Sequence, residues 1–355
     1  MTAKNTSSQK KWTSSLCCRS FQVAELSVAA AEVNNSGVQS LEPVLEGLKK
    51  SIGGSNAEQA EGALNAVTHF IKECPAAEPH MASLLPLVLK AASHKAKPVQ
   101  KAATTAGETL AAKMSPNAVS AVLPDLFAHL DVSCNWQTRV LALTIITSFS
   151  DHASHQLGYA LPEVVPALTP CIGDTKKQVK TAAVGAMTAA CEVIGNRDME
   201  HMTTDIVKAV INPGAVPEIM HNLAGVAFVQ SVESPALAMV VPLLLRGLRV
   251  KETATKRQSA VIIENMSKLV DEPADAAPFL PLLMPALEKA ASTIANPEAR
   301  GIADRAYAQL MRLDGLCKNS NSKKADHAAV SPLFNSHKQV CIVSGTKCRR
   351  RRMIT

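Results

Sequence analysis

Residues 161–192 read LPEVVPALTPCIGDTKKQVKTAAVGAMTAACE, and the fold of the chain turns on how this stretch divides. Its first half is an apolar run opened by Leu161 and Pro162. A polar turn follows, Gly173 to Lys176. Beyond it lies an alanine-rich segment in which Val179, Ala182, Ala183, Ala186 and Ala190 recur at helical i, i+3, i+4, i+7 spacing. The stretch therefore predicts two helices joined by a short turn, each with an apolar stripe on one face.

The same grammar recurs on both sides. Apolar segments carrying Leu-Pro or a variant appear at Pro43 (LEPVLEGL), Pro86 (LLPLVLKA), Pro124 (VLPDLFAHL), Pro162 (ALPEVVPAL), Pro242 (VVPLLLRGL) and Pro281 (FLPLLMPAL). The steps are 43, 38, 38, 80 and 39 residues. The step of 80 is a double one, so a unit near Met202 has lost its proline and kept its place, which makes about seven units. After each proline-bearing segment comes a second amphipathic one, such as VQKAATTAGETLAA, TRVLALTIITSF or KRQSAVIIENMSKLV. A lone hairpin of this kind cannot bury its apolar stripe, so neighbours must stack into a HEAT or armadillo-type α-solenoid. The proline removes a backbone donor and is expected to bend the first helix of each unit.

Composition fits an all-α chain. Of 355 residues 47% are apolar but only 3% aromatic, so the core is built from Ala, Leu, Val, Ile and Met, which combine helix propensity with close packing. Nine cysteines at irregular spacing, with no CxxC pair, point to a reducing compartment rather than a disulfide framework. No apolar run reaches the roughly 18 to 20 residues of a membrane span.

Three segments are expected. Residues 1–27 form a disordered basic N-terminus with Lys4, Lys10, Lys11 and Arg19; a transit peptide has the same composition, so a cytoplasmic location has an organellar alternative. Residues 28–315 form the solenoid. Residues 316–355 lose the helical period and end in Arg349 to Arg352, a disordered basic tail that reads either as an import or RNA-binding segment or as a non-native extension. The net charge of +7 belongs to the two ends of the chain: residues 1–20 carry +4 and residues 316–355 carry +8, whereas residues 21–315 carry −5. Any affinity of the folded body for nucleic acid must come from local clusters of cations.

No motif for catalysis is present: no phosphate-binding loop G-x-x-x-x-G-K-[ST], no G-x-S-x-G elbow and no H-E-x-x-H zinc site. His152 and His155 sit beside Asp151 without further ligands, and read as surface histidines at a repeat junction. No catalytic residue, metal or cofactor is expected.

What remains is a series of cations around the turns. In a solenoid, equivalent positions lie side by side along one edge. Lys101, Arg139 and Lys180 are expected in an internal ladder, in which a turn acid pairs with the basic residue some six positions on in the neighbouring unit; Asp174 and Lys180 have that spacing. Lys95, Lys97, Lys176, Lys177, Arg246, Arg249, Lys251, Lys256 and Arg257 are the candidates for an outward-facing row that reads RNA phosphates by charge and shape, with an idle solvated face as the alternative. Arg300 and Arg305 continue the series. Trp136, in CNWQTR, is the one exposed stacking candidate, or else a plug at the repeat junction.

Residues 153–202 (ASHQLGYALPEVVPALTPCIGDTKKQVKTAAVGAMTAACEVIGNRDMEHM), 241–273 (VPLLLRGLRVKETATKRQSAVIIENMSKLVDEP) and 277–300 (APFLPLLMPALEKAASTIANPEAR) closely resemble the N-terminal HEAT region of fungal-type translation elongation factor 3. The resemblance covers roughly residues 40 to 315. It implies a ribosome-binding HEAT arm in a cytosolic translation machine, touching ribosomal RNA and proteins. The family's ATP-binding cassettes match no residue here, so the resemblance does not carry its ATPase over; a separate cassette chain is one implied partner. A protein-binding scaffold is the other reading, since the ribosome-associated activator of the amino-acid-starvation kinase carries a similar HEAT region.

Overall fold

The computed structural model describes residues 42–74, 77–226 and 228–330. The N-terminal segment 1–27, the expected start of the solenoid up to residue 41, and the Arg349 to Arg352 run lie outside the described residues. Within them the chain is helical, without a strand, and forms seven hairpins. The first pairs α1 (Glu42–Ile52) with α2 (Ala57–Glu73), and the second sets α3 (Glu78–Met81) and α4 (Leu85–Ala91) against α5 (Lys97–Lys113). Next come α6 (Val119–Ala128) with α7 (Trp136–His152), and α8 (Ser154–Ile172) with α9 (Lys177–Glu192). The fifth hairpin holds α10 (Arg197–Glu200), α11 (Thr203–Ile211) and α12 (Val216–Ala224). α13 (Ser234–Arg249) with α14 (Thr253–Lys268), then α15 (Pro273–Ala276) and α16 (Leu280–Thr293) with α17 (Pro297–Val330), complete the array.

The apolar stripes meet as their spacing predicts. On α9, Val179, Ala183, Ala186 and Ala190 are buried and Ala182 is half-buried; on α8, Leu161, Val164, Val165 and Leu168 are buried. Each such leucine or valine contributes about 1.5–3 kcal/mol when fully removed from water. Alanine along one face lets helices approach closely, and Gly247 of α13 goes further: a Cβ there would lie 2.2 Å from Ser259 Oγ on α14.

The prolines divide into two uses. Pro86 and Pro281 sit in the first turns of α4 and α16, where the missing N–H has no intrahelical partner to lose. Pro124, Pro162, Pro166, Pro170, Pro242 and Pro285 lie inside helices. On α8 the prolines at 166 and 170 are exposed, so water can satisfy the carbonyls they orphan.

The fifth hairpin departs from the expected register. Second helices stack in the order α2, α5, α7, α9, and again α12, α14, α17. First helices run α1, α4, α6, α8, but α8 then packs directly on α13, which packs on α16, while α11 lies against α9 and α13. The unit near Met202 has thus kept its place in the sequence but not in the row of first helices. Its helices α11 and α12 have 9 residues each, too short to cover α8 with 19 and α13 with 16, so those two faces close on one another.

A strap, residues 228–233, carries the chain from α12 to α13. Asp198 accepts hydrogen bonds from the amides of Val229 (2.7 Å) and Gln230 (2.8 Å), the Arg197 amide donates to Gln230 Oε1 (3.0 Å), and the Val232 amide donates to Leu269 O (2.9 Å). A cleft of about 580 Å³ opens beside it, lined by His155, Tyr159, Asn196, Gln230, Ser231 and Glu233 among others. The Gln230 and Val229 amides hold the Asp198 carboxyl below its ordinary range. A depressed folded pKa means the tether is intact above the ordinary carboxylate range and is lost as pH falls through the lowered value. Asp198→Ala should accelerate hydrogen exchange at Val229 and Gln230 while the melting temperature hardly moves; unchanged protection of both amides would refute the tether.

The last helix also differs from expectation. α17 continues to Val330, beyond residue 315 where the solenoid was expected to end. Leu310, Leu313 and Cys317 are buried, and no glycine or proline occurs between Gly315 and Pro332 to stop the helix.

Candidate nucleic-acid interface

The turns within hairpins are tied together by bonds that cross from one hairpin to another. Thr138 Oγ1, in the first turn of α7, donates to Leu89 O at the end of α4 (3.0 Å). One residue on, Arg139 reaches the other way and pairs with Asp174 in the turn between α8 and α9. Arg246 Nη1 donates to Ala209 O (3.0 Å) and Val210 O (2.6 Å) near the end of α11. Lys256 Nζ donates to Thr293 Oγ1 (3.0 Å), and Arg257 pairs with Glu298 (2.6 Å). These contacts gather the turns along one edge of the array.

Local sequence shapes the turns. Asp131 Oδ1 accepts the Ser133 amide (2.8 Å) and Asp174 Oδ1 the Lys176 amide (2.7 Å), the same aspartate turn one repeat apart. Asn56, Asn212 and Asn296 do likewise for Glu58, Gly214 and Glu298. The Asp174 carboxyl is held below its ordinary range chiefly by the Lys176 amide, with burial opposing and Arg139 adding to the effect.

The expected ladder is reduced to a single rung. Arg139 pairs with Asp174 of the following hairpin, one unit to the next; Lys180, the residue at the same position as Arg139 one repeat on, is exposed and in no ion pair among the described residues. Lys101 is likewise exposed, beside Lys97, Glu61 and Asn65 in a shallow cleft between α2 and α5.

The outward row separates into two groups. Lys95, Lys97, Lys176, Lys177, Arg249 and Lys251 are exposed and take part in no ion pair among the described residues. Arg246, Lys256 and Arg257 are partly buried and committed to neighbouring hairpins, as above. A guanidinium against the last carbonyls of a helix is favoured by the helix dipole, which explains Arg246. Arg300 donates to Ile294 O (2.8 Å), and Arg305 approaches Glu264 (3.5 Å). The free cations therefore cluster on the turns of the second, fourth and sixth hairpins. Trp136, on the third, is 37% exposed and so no buried plug.

His152 and His155 do not come together with other ligands: His155 stacks edge-on against Tyr159 (4.9 Å) and His152 against Phe149 (5.9 Å). No group of three or more His, Cys, Asp or Glu side chains among the described residues suits a metal ion, and no described helix is long and apolar enough to cross a membrane.

Two family descriptions match the sequence: the EF3 N-terminal HEAT repeat over residues 23–187, and the elongation factor 3/GNC1 HEAT repeat over residues 215–321. The chain belongs to the elongation factor 3 HEAT-repeat family. Elongation factor 3 of Phytophthora infestans is 39% identical over 311 residues, 87% of this chain and 29% of that protein. The homologue from Gonapodya prolifera is 42% identical over 248 residues, 69% of this chain and 23% of that protein. Elongation factor 3B of Saccharomyces cerevisiae is 38% identical over 274 residues, 76% and 26% respectively. The chain thus spans less than a third of the length of these elongation factor 3 relatives. The stretch between the two matched regions, 188–214, contains α10 and α11, the part of this chain over which α8 and α13 close.

Proposed function

We propose that this chain is a ribosome-docking arm of an elongation factor 3-like translation factor, working in the cytosol without catalysis of its own. The observation that carries the reading is the row of uncompensated cations, Lys95, Lys97, Lys176, Lys177, Arg249 and Lys251, on one edge of a body whose overall charge is slightly negative. Phosphates of a folded RNA suit such a row, because ammonium groups release condensed counterions on contact without needing a base sequence. Membership of a translation family supplies the ribosome as the RNA-bearing partner; an ATP-binding-cassette chain is a second partner in the same machine.

The test is cosedimentation of the purified chain with ribosomes across a salt series. Lys176→Glu with Lys177→Glu should weaken binding about tenfold or more and lower the salt slope by about 2, one for each phosphate no longer neutralised. Arg257→Glu mainly breaks the pair with Glu298 and should leave the salt slope alone. Ribosome binding that survives the lysine reversals unchanged would refute the docking edge. Protein partners that persist after nuclease treatment would favour a scaffold instead, and ATP hydrolysis by the purified chain would overturn the non-catalytic assignment.

A further inference from the structure

Lys97, Trp136 and Lys177 are the first residues of α5, α7 and α9, three second helices that pack in succession. They occupy the same position in consecutive hairpins. Two bonds fix the register: Thr138 to Leu89 O joins the start of α7 to the end of α4, next to the turn that carries Lys95, and Arg139 to Asp174 joins it to the turn that carries Lys176. Packed helices stand about 8–10 Å apart, so the indole has a lysine one helix spacing away on either side.

A large apolar group is not general at this position: apart from Trp136, only α12 among the described second helices starts on one, the buried Val216. Lys97, Lys177, Thr253 and Pro297 start their helices exposed to water, whereas Trp136 keeps 37% of its surface open and Val132, in the adjoining turn, 77%. The result is an apolar shelf on a cationic edge. In the adjoining turn the Ser133 side chain and amide hold the Asp131 carboxyl below its ordinary range, so it stays charged there, while Asp174 is paired with Arg139.

We infer that Trp136 is a stacking platform for an unpaired nucleotide of RNA, with Lys97 and Lys177 holding the phosphates on its two sides. This rests on the ribosome-docking reading and narrows it from folded RNA in general to a site where a base is exposed. Every base offers a π face to an indole, so stacking tolerates any sequence, but a paired and stacked duplex hides those faces. A duplex would use the lysines and leave the tryptophan idle.

The experiment uses the whole chain with three probes: ribosomes, a single-stranded oligoadenylate, and an RNA duplex of equal phosphate number. In a Trp12→Phe background Trp136 is the one tryptophan left, and its fluorescence should be quenched by the oligoadenylate and not by the duplex. Trp136→Ala should lower affinity for oligoadenylate and ribosomes roughly tenfold or more with the salt slope unchanged, and Trp136→Phe should restore part of the loss. Lys97→Glu with Lys177→Glu should weaken binding to all three probes and reduce the slope. If Trp136→Ala binds as the parent does while the lysine reversals still weaken ribosome binding, the platform is refuted and the docking edge stands. If the parent chain binds neither ribosomes nor RNA, both readings fall. A Trp136-dependent ribosome contact that survives nuclease treatment assigns the indole to a protein and overturns the proposal.

Discussion

Arg139→Ala should cost the fold about 3 kcal/mol, measured as the shift in denaturant midpoint at constant slope. The guanidinium and the Asp174 carboxylate are each only 7% exposed. Removing the arginine leaves a carboxylate without its counter-charge and with one strong donor, the Lys176 amide. Breaking a buried pair from one side costs more than the pair contributes, because the surviving charge keeps its desolvation penalty. A double variant makes the argument testable: Arg139→Met with Asp174→Asn keeps the bond to the Lys176 amide, removes both charges and should recover most of the loss. The Asp174 pKa lies below its unfolded value, so the unfolded chain binds the extra proton and stability falls as pH drops through the folded pKa. The double variant should shed that part of the acid dependence. A cost below about 1 kcal/mol for Arg139→Ala would show the rung to be an ornament of the surface.

Gly247→Val should cost a similar amount, about 3 kcal/mol, for the opposite reason. Even a Cβ at this point of α13 would lie 2.2 Å from Ser259 Oγ and 3.3 Å from Met220 Sδ, and both neighbours are fully buried. Ser259 cannot retreat without giving up its bond to Thr255 O (2.8 Å). Valine adds two further methyls to that crowd. The contrast is Gly247→Ala made together with Ser259→Ala, where the colliding oxygen is gone and alanine's helix propensity contributes about 0.5–1 kcal/mol. A double-mutant cycle should show strong coupling between positions 247 and 259. Additive effects would mean that α13 and α14 separate freely, against the packing described.

The solenoid was legible because its signals are local. Leu-Pro segments at steps near forty residues and the Val179 to Ala190 stripe specify hairpins without reference to anything distant, and the family resemblance rests on contiguous strings such as DTKKQVK. What was not legible depends on which hairpin meets which. The spacing of Asp174 and Lys180 points to pairing between neighbouring units but not to which unit supplies the base; stacking brings up Arg139, 35 residues earlier. Lys256, Arg257 and Arg246 look like free turn cations in sequence and are spoken for by Thr293, Glu298 and the end of α11, partners no local pattern reveals. The step of 80 residues did announce an unusual fifth unit. It did not announce that α8 and α13 would close over it, since that follows from the relative lengths of four helices.

That closure changes how the molecule should come apart. An array linked only between immediate neighbours behaves like a row of dominoes, in which each unit can fray by itself and a severed link separates the flanks. Here the α8–α13 seam staples the fourth hairpin to the sixth. A protease cut in the strap should therefore yield two fragments that travel together through a sizing column, and heat should bring both halves down in one cooperative step.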